Sequence, residues 1–151
     1  MSSTPSPAQK NLTGRLEHLG LRLTTQRRRV LDELLQEPDD ATAQELHSRL
    51  RERGERVGLA TVYRALEAFV EAGLVDELSH RPDERCYRAC RSAAHHHHLV
   101  CSSCHRVVEL TDCEVTDWVQ RAAAGLGFTA IDHRLEVSGL CAECRRSGSR
   151  A

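Results

Sequence analysis

The chain has 151 residues, of which 40% are hydrophobic, 28% charged and only 3% aromatic. This length suits one domain or two very small ones, and the scarcity of aromatic residues favours small helices and short strands over an aromatic-rich β-sandwich. A formal charge of −1 does not by itself indicate a nucleic-acid or membrane partner. No apolar run approaches the roughly 20 residues that cross a bilayer, and the first ten residues lack a secretory signal, so we expect a cytoplasmic protein without a membrane partner.

Cysteine and histidine are concentrated in the second half of the chain. Most of the seven cysteines and nine histidines follow residue 85. An odd number of cysteines cannot pair completely, and reduced thiols are the default in a chain without a signal peptide, so metal binding is the leading interpretation. We therefore predict a disordered leader over 1–11, a first domain over 12–89, a metal-binding domain over 90–147 and a tail over 148–151.

The first domain has the pattern of four helices. The first begins at Leu12, and Thr24 caps the second, which Pro38 stops. The segment 42–45, Thr-Ala-Gln-Glu, is a capping box that starts the third helix. A fourth helix over about 59–72 has an apolar stripe at helical spacing.

Strands dominate the rest of the chain. Two short strands, 74–78 and 85–88, are joined by a polar turn, and helices followed by such a hairpin form a winged helix-turn-helix. Further strands are predicted over 99–101, 107–110 and 128–137, with one helix over about 113–126. The predicted fold class is therefore α+β, an N-terminal winged helix-turn-helix followed by a small α/β domain.

Two CxxC pairs form the clearest metal-binding pattern in the sequence. Each pair lets two thiolates bind one ion from a tight turn, and two pairs complete a closed tetrahedral zinc site with a structural role. The alternative is a pair of redox dithiols, but neither CxxC opens a helix after a βαβ strand. The predicted ligands are Cys101, Cys104, Cys141 and Cys144.

Four consecutive histidines, His95, His96, His97 and His98, lead into a predicted strand. Alternate side chains of a strand point to opposite faces, so the four cannot share one site. We expect His96 and His98 to face one metal site and His95 and His97 another. A solvated histidine tract that binds metals loosely is the alternative.

Each face then needs further ligands. Cys90 and Asp76 are candidates beside His96 and His98, in a site that spans the domain boundary. On the other face we expect His133, which we place in the last strand. A single histidine on an apolar face is more often a core residue, but here the unpaired histidines favour a ligand. Cysteines and histidines without a spacing partner are interpreted as packing or surface residues: Cys86, Cys113, His105, His80, His47 and His18.

Together these motifs resemble the Fur superfamily of metal-dependent bacterial transcriptional repressors. The resemblance extends over about Leu12 to Cys144, and is carried by the segments 23–27 and 58–64, the histidine run with the following Leu-Val-Cys, and the closing CxxC. Within the superfamily the chain is most similar to the zinc uptake regulators. The reason is that Cys90 stands near where iron sensors tend to have a carboxylate.

The resemblance implies a role for each candidate ligand. The structural zinc falls on the four CxxC cysteines, and the sensing zinc on Asp76, Cys90, His96 and His98. A second regulatory site would use His95, His97, His133 and a glutamate from the helix before Trp118. This chain has Thr116 at that position, so Glu114, Asp117 or water would have to substitute.

The resemblance also implies DNA as a partner. The outward residues of the fourth helix, which would meet bases and phosphates, are Ala60, Thr61, Tyr63 and Arg64; Arg27 and Arg28 would contact phosphates from the second helix. Residues 1–64 carry 11 basic and 9 acidic side chains, a low balance for a DNA-binding domain. Dimerisation through the C-terminal domain and bound cations would raise the affinity for a palindromic operator.

The leading hypothesis is a zinc-responsive repressor that binds operator DNA as a homodimer. No glycine-rich elbow, nucleophile or oxyanion site supports an enzyme, and we expect no organic small-molecule substrate. Two alternatives remain open at this point. One is an iron-responsive repressor of the same class, and the other is a zinc storage or zinc-dependent hydrolytic protein.

Overall fold

The computed structural model describes residue 20 and the ranges 22–37, 39–90, 94–129 and 131–148. The predicted leader, the predicted first helix over its range 12–19, Pro38 and residues 149–151 of the tail lie outside the described residues. The chain divides into two compact units, Met1–Ala93 and Ala94–Ala151. We placed the start of the second domain at residue 90, so the division falls slightly later and Cys90 belongs to the N-terminal unit.

In the described part of the N-terminal unit, three helices pack with a small sheet: α1 is Thr25–Leu34, α2 is Ala43–Glu52 and α3 is Leu59–Glu71. The predicted caps of α1 and α2 are present. The Thr24 hydroxyl accepts a hydrogen bond from the Arg27 amide, at 3.3 Å. At α2, the Thr42 hydroxyl accepts from the Glu45 amide at 3.1 Å, while the Glu45 carboxylate accepts from the Thr42 amide at 2.8 Å.

The sheet of this unit has the antiparallel order β1-β3-β2, in which β1 is Ala41–Thr42, β2 is Val75–Leu78 and β3 is Cys86–Ala89. Gly73, between α3 and β2, has a φ of 62°, a conformation that costs glycine little. The predicted stripe of α3 is buried at Val62, Leu66 and Phe69 and packs against α1 and α2. These elements match the predicted winged helix-turn-helix.

The C-terminal unit has a three-stranded sheet and two helices: β4 is His97–Cys101, β5 is Val107–Leu110, α4 is Val115–Gly125, β6 is Glu136–Gly139 and α5 is Ala142–Arg146. The strand order is β5-β4-β6, with β4 antiparallel to β5 and parallel to β6. The central position of β4 places the histidine run and the first CxxC beside both neighbouring strands.

The predicted strand over 128–137 is wrong for most of its length, because only 136–139 are in a strand. Consequently His133 precedes β6 and is not in a strand. The physical reason is the extent of pairing with β4. The strand β6 pairs with β4 from His98 to Cys101, and the Leu135 carbonyl accepts the His98 amide at 3.1 Å. Among the described residues, those before Leu135 have no strand partner in this sheet.

The C-terminal unit carries much exposed apolar surface. Within the described chain α4 buries none of its side chains, and Trp118 on this helix is 63% exposed. Other large apolar side chains are also exposed there: Leu99, Val108, Leu110, Leu126, Phe128, Ile131, Leu135 and Val137. The concentration of these exposed side chains in one unit is typical of an interaction face. Across the described ranges, no helix combines the length and apolar character that a membrane span needs.

Candidate metal centres and nucleic-acid interface

The four CxxC cysteines converge in the C-terminal unit. Their sulfur atoms all lie within 4.8 Å of one another, and the Cys104 and Cys141 sulfurs are 3.8 Å apart. The first pair follows the end of β4 in a tight turn, and the second brackets the start of α5, where the Cys141 sulfur accepts the Cys144 amide at 3.4 Å. Four thiols at these distances suit a closed tetrahedral zinc site. All seven cysteines are free of disulfides.

The backbone around this group favours the thiolate form of Cys101. Hydrogen bonds from the backbone amides of Cys104, Cys141 and Ser103 lower the pKa of the Cys101 thiol to about 6. Amides directed at sulfur stabilise its charged form, which is the form that binds metal. The turn therefore favours the metal-binding form of the Cys101 thiol before zinc binds.

A second group forms on one face of β4 and brings together His95, His97, His133 and Cys113, whose ligand atoms all lie within 4.8 Å of one another. The His95 Nε2 atom is 3.1 Å from His97 Nε2 and 3.2 Å from His133 Nε2. The Cys113 sulfur is 2.9 Å from His97 Nε2 and 3.2 Å from His133 Nε2. The predicted trio therefore meets, and a thiol joins it.

Cys113, which we interpreted as a packing or surface residue, instead lies within this group. Thr116, at the position where a glutamate was expected, donates a hydrogen bond from its hydroxyl to the Cys113 sulfur at 3.1 Å. That bond, followed by those from His97, His133 and His95, lowers the pKa of the Cys113 thiol to about 5. Glu114 and Asp117 are outside this group among the residues that the structure describes.

The sequence signal that could have indicated this ligand is its closeness to Thr116. Cys113 lies just before Glu114, the N-cap of α4, and Thr116 lies in the first turn of that helix. The short separation along the chain lets the Thr116 hydroxyl reach the Cys113 sulfur.

The four residues that the resemblance assigned to the sensing zinc are divided between the two units. In the N-terminal unit Asp76 lies in β2 opposite Arg88, and the buried Cys90 follows β3, its amide donating to the Leu74 carbonyl at 2.9 Å. In the C-terminal unit His96 and His98 have ring centroids 5.0 Å apart. The expected alternation along the histidine run is therefore present, since His95 and His97 belong to the other group.

The start of α3 carries the predicted DNA-contacting residues. Ala60 and Arg64 are exposed, and the Arg64 Nε atom donates to the Ala60 carbonyl at 3.2 Å. Thr61 is half-buried, and Tyr63 is half-buried and packs against the core, so its ring has a structural role as well.

On α1, Arg28 is exposed while Arg27 is half-buried and donates from Nη1 to the Arg22 carbonyl at 3.1 Å. Arg28 therefore lies on the exposed surface of α1. Arg27, by contrast, is held against the backbone by its own hydrogen bond.

Comparisons with known proteins identify the family. The model of the ferric uptake regulator family matches residues 18–138, most of the chain. The chain belongs to the ferric uptake regulator family. The zinc uptake regulation protein of Mycobacterium tuberculosis is 46% identical over 123 residues, covering 81% of this chain and 94% of that protein. The ferric uptake regulation protein of Escherichia coli K12 is 37% identical over 134 residues, covering 86% and 89%.

Among solved structures, a zinc uptake regulator complexed with zinc and DNA matches with a TM-score of 0.81 at 27% identity, covering 97% of this chain and 100% of that one. These findings confirm the predicted superfamily and its α+β fold class. They also place the chain among regulators and not among enzymes.

Proposed function

We propose that this ferric uptake regulator family member is a zinc-responsive repressor, which binds palindromic operator DNA as a zinc-loaded homodimer and controls zinc uptake genes. The choice of zinc rests on the donor atoms. The four-cysteine group and the group of three histidines with Cys113, both within the C-terminal unit, contain thiol sulfur. Thiolate and imidazole ligands suit four-coordinate zinc, whereas iron(II) prefers more oxygen and more ligands. Similarity to zinc uptake regulators supports the same choice.

The sensing site in this proposal consists of Asp76, Cys90, His96 and His98. Two of these ligands come from each unit, so a bound zinc fixes the angle between the winged helix and the C-terminal unit. A ligand shifts a conformational equilibrium only by its differential affinity for the two states, and a site divided between two units has this leverage. Zinc at this site therefore selects the arrangement that binds DNA.

The second regulatory site consists of His95, His97 and His133 with Cys113 as fourth ligand. Its members all belong to the C-terminal unit, so it has less influence on the interdomain angle. Three imidazoles and one thiolate form a tetrahedral set that fits zinc. We therefore assign it the adjustment of the zinc concentration at which repression begins.

The homodimer interface of this proposal is the exposed apolar surface of the C-terminal unit. Trp118 and Phe128 are each more than 60% exposed in the single chain, at 63% and 66%, which is costly for a monomer in water. A symmetric partner would cover this surface and align two winged helices on successive major grooves.

DNA recognition in this proposal uses the start of α3, with Ala60, Thr61, Tyr63 and Arg64 at the bases and Arg27 and Arg28 at phosphates. The exposed Arg64 suits guanine, because a guanidinium forms two hydrogen bonds with that base. Since a repressor acts at the genome, we place the protein in the cytoplasm.

An iron-responsive repressor is the competing function, and the ferric uptake regulation protein of E. coli, at 37% identity, keeps it open. The deciding experiment is a gel shift with a palindromic promoter fragment across buffered free zinc and, anaerobically, across iron(II). The metal content of the purified chain is measured in parallel. Shifts at far lower free zinc than iron(II) support the proposal, and a response to iron(II) alone contradicts it.

A further inference from the structure

A third group of metal-binding side chains lies within the N-terminal unit. Asp40 precedes β1, His80 lies in the turn after β2 and Cys86 opens β3, and their ligand atoms all lie within 4.8 Å of one another. Pairing of Thr42 with Cys86 brings the start of β1 beside β3. Solvent reaches only 1% of the Asp40 side chain, 3% of the His80 side chain and none of Cys86.

The spacing of the ligand atoms fits a shared cation. The His80 Nε2 atom is 3.4 Å from Asp40 Oδ2, longer than the roughly 2.7–2.9 Å of a charge-assisted hydrogen bond. Asp40 Oδ2 is buried and accepts no hydrogen bond within the described part of the chain. Two ligand atoms about 2.0–2.1 Å from one zinc ion at the tetrahedral angle are about 3.4 Å apart. The observed distance of 3.4 Å matches this separation.

The charges around the group also suit a divalent cation. The guanidinium of Arg81 lies 3.8 Å from Asp40 Oδ1 and 3.1 Å from Glu45 Oε1, so one positive charge faces two carboxylates. With a neutral His80 imidazole and a neutral Cys86 thiol, Asp40, Glu45 and Arg81 leave one net negative charge in a largely buried place. A divalent cation bound to the Cys86 thiolate makes the set neutral, which reduces the cost of burial.

Zinc binding at this group would involve a proton exchange at Cys86. A thiol bound to a metal loses its proton. The Cys86 proton would therefore leave to solvent as the bond between sulfur and the metal forms.

We propose that Asp40, His80 and Cys86 bind a zinc ion within the winged helix-turn-helix, with water in the fourth position. The ion would connect the turn between β2 and β3 to the start of β1 and α2. It stabilises the DNA-binding unit and does not sense zinc through the interdomain angle. This site is separate from the sensing, second regulatory and four-cysteine sites.

The test counts zinc ions in the full-length chain and three variants. Wild type, Cys86→Ala, His80→Gln and the double variant are saturated with zinc, freed of loose metal by gel filtration and analysed for zinc per chain. Each single variant should hold one zinc fewer than wild type, and the double variant should also lose only one, because both residues bind the same ion. Circular dichroism checks the fold of each variant.

Two further measurements make the outcome specific to this site. Adding Cys86→Ala to Cys113→Ala should lower the zinc content by one further ion, because those thiols belong to different sites. In cobalt-loaded protein, Cys86→Ala should reduce the thiolate-to-cobalt charge-transfer absorption.

If Cys86→Ala does not fold, His80→Gln provides the test, because glutamine retains polar bulk at this position. Unchanged zinc content in folded His80→Gln would overturn the site, and the three side chains would then form only a hydrogen-bonded network. The result does not depend on the proposed repressor function, because it compares each variant with wild type.

Discussion

The Cys113 sulfur lies 2.9 Å from Nε2 of His97, where the resemblance implied a glutamate three residues further along the chain. The hydroxyl of Thr116, at that further position, donates to the same sulfur. The thiol thus belongs to the residue just before the N-cap of α4, and Thr116 in the first turn of the helix orients it. One face of β4 consequently offers three imidazoles and a thiol instead of three imidazoles and a carboxylate.

This relationship predicts that Cys113→Ala raises the free zinc concentration needed for DNA binding by about tenfold or more. Loss of a residue that only hydrogen-bonds to a metal ligand typically lowers the metal affinity about 10- to 100-fold, and loss of the ligand itself should cost at least as much. Adding Thr116→Glu to that variant should restore part of the loss by returning a carboxylate. The measurement is a gel shift across buffered zinc, with Glu114→Ala as the control because its side chain is outside the group. An unchanged midpoint in Cys113→Ala would remove this thiol from the site.

The four-cysteine site predicts a loss of folding or dimerisation. Cys141→Ser should leave the C-terminal unit unfolded or monomeric, because the binding energy of a structural zinc is folding energy, on the order of 10 kcal/mol. Analytical ultracentrifugation with circular dichroism measures both, and Cys90→Ser is the matched control. A stable, zinc-responsive dimer of Cys141→Ser is incompatible with a structural role.

The sequence predicted those features that depend on local spacing. The capping box at Thr42, the stripe of α3 and the alternation along β4 follow from periodicities of one helix or strand. The prediction of a strand over 128–137 failed because the length of that strand is set by its pairing with β4, which is distant in sequence.

Two of the candidate metal-binding groups depend on contacts between residues distant in sequence, which spacing along the chain does not show. Cys86 and His80 had no spacing partner, and they meet Asp40 only because β1 pairs with β3. Cys113 had a local signal, but its role depends on His133, which reaches it from beyond α4.

DNA recognition predicts different effects for two arginines. Arg64→Ala should weaken specific binding by about 1–3 kcal/mol and relax the preference at one base, whereas Arg28→Ala should weaken all sequences alike and lower the salt dependence by about one phosphate contact. Fluorescence anisotropy with operator and random duplexes at several salt concentrations separates the two. Equal losses on both duplexes for Arg64→Ala would indicate a phosphate contact only.

The capping box predicts a pH-dependent stability. Burial raises the pKa of Glu45, but hydrogen bonds from the Thr42 backbone and Arg81 outweigh it, so the net pKa is below 4.5. A depressed carboxyl pKa stabilises the fold above the unfolded-state value, and this stabilisation is lost as pH falls through the folded-state value. Glu45→Gln should therefore be less stable than wild type at pH 7, with the difference shrinking below pH ~4.5. Urea unfolding at pH 7 and at about pH 3.5 measures it, and a constant difference contradicts the assignment.

The central claim is that zinc acts through a site divided between the two units, and Cys90→Ser tests it most directly. DNA binding is measured against buffered free zinc for wild type, Cys90→Ser and His133→Ala, with zinc content and dimerisation checked for each. The account predicts that Cys90→Ser remains a dimer with its structural zinc and loses zinc-dependent DNA binding, while His133→Ala only shifts the midpoint. If Cys90→Ser keeps the wild-type response and His133→Ala loses it, the sensing role belongs to the other face of β4.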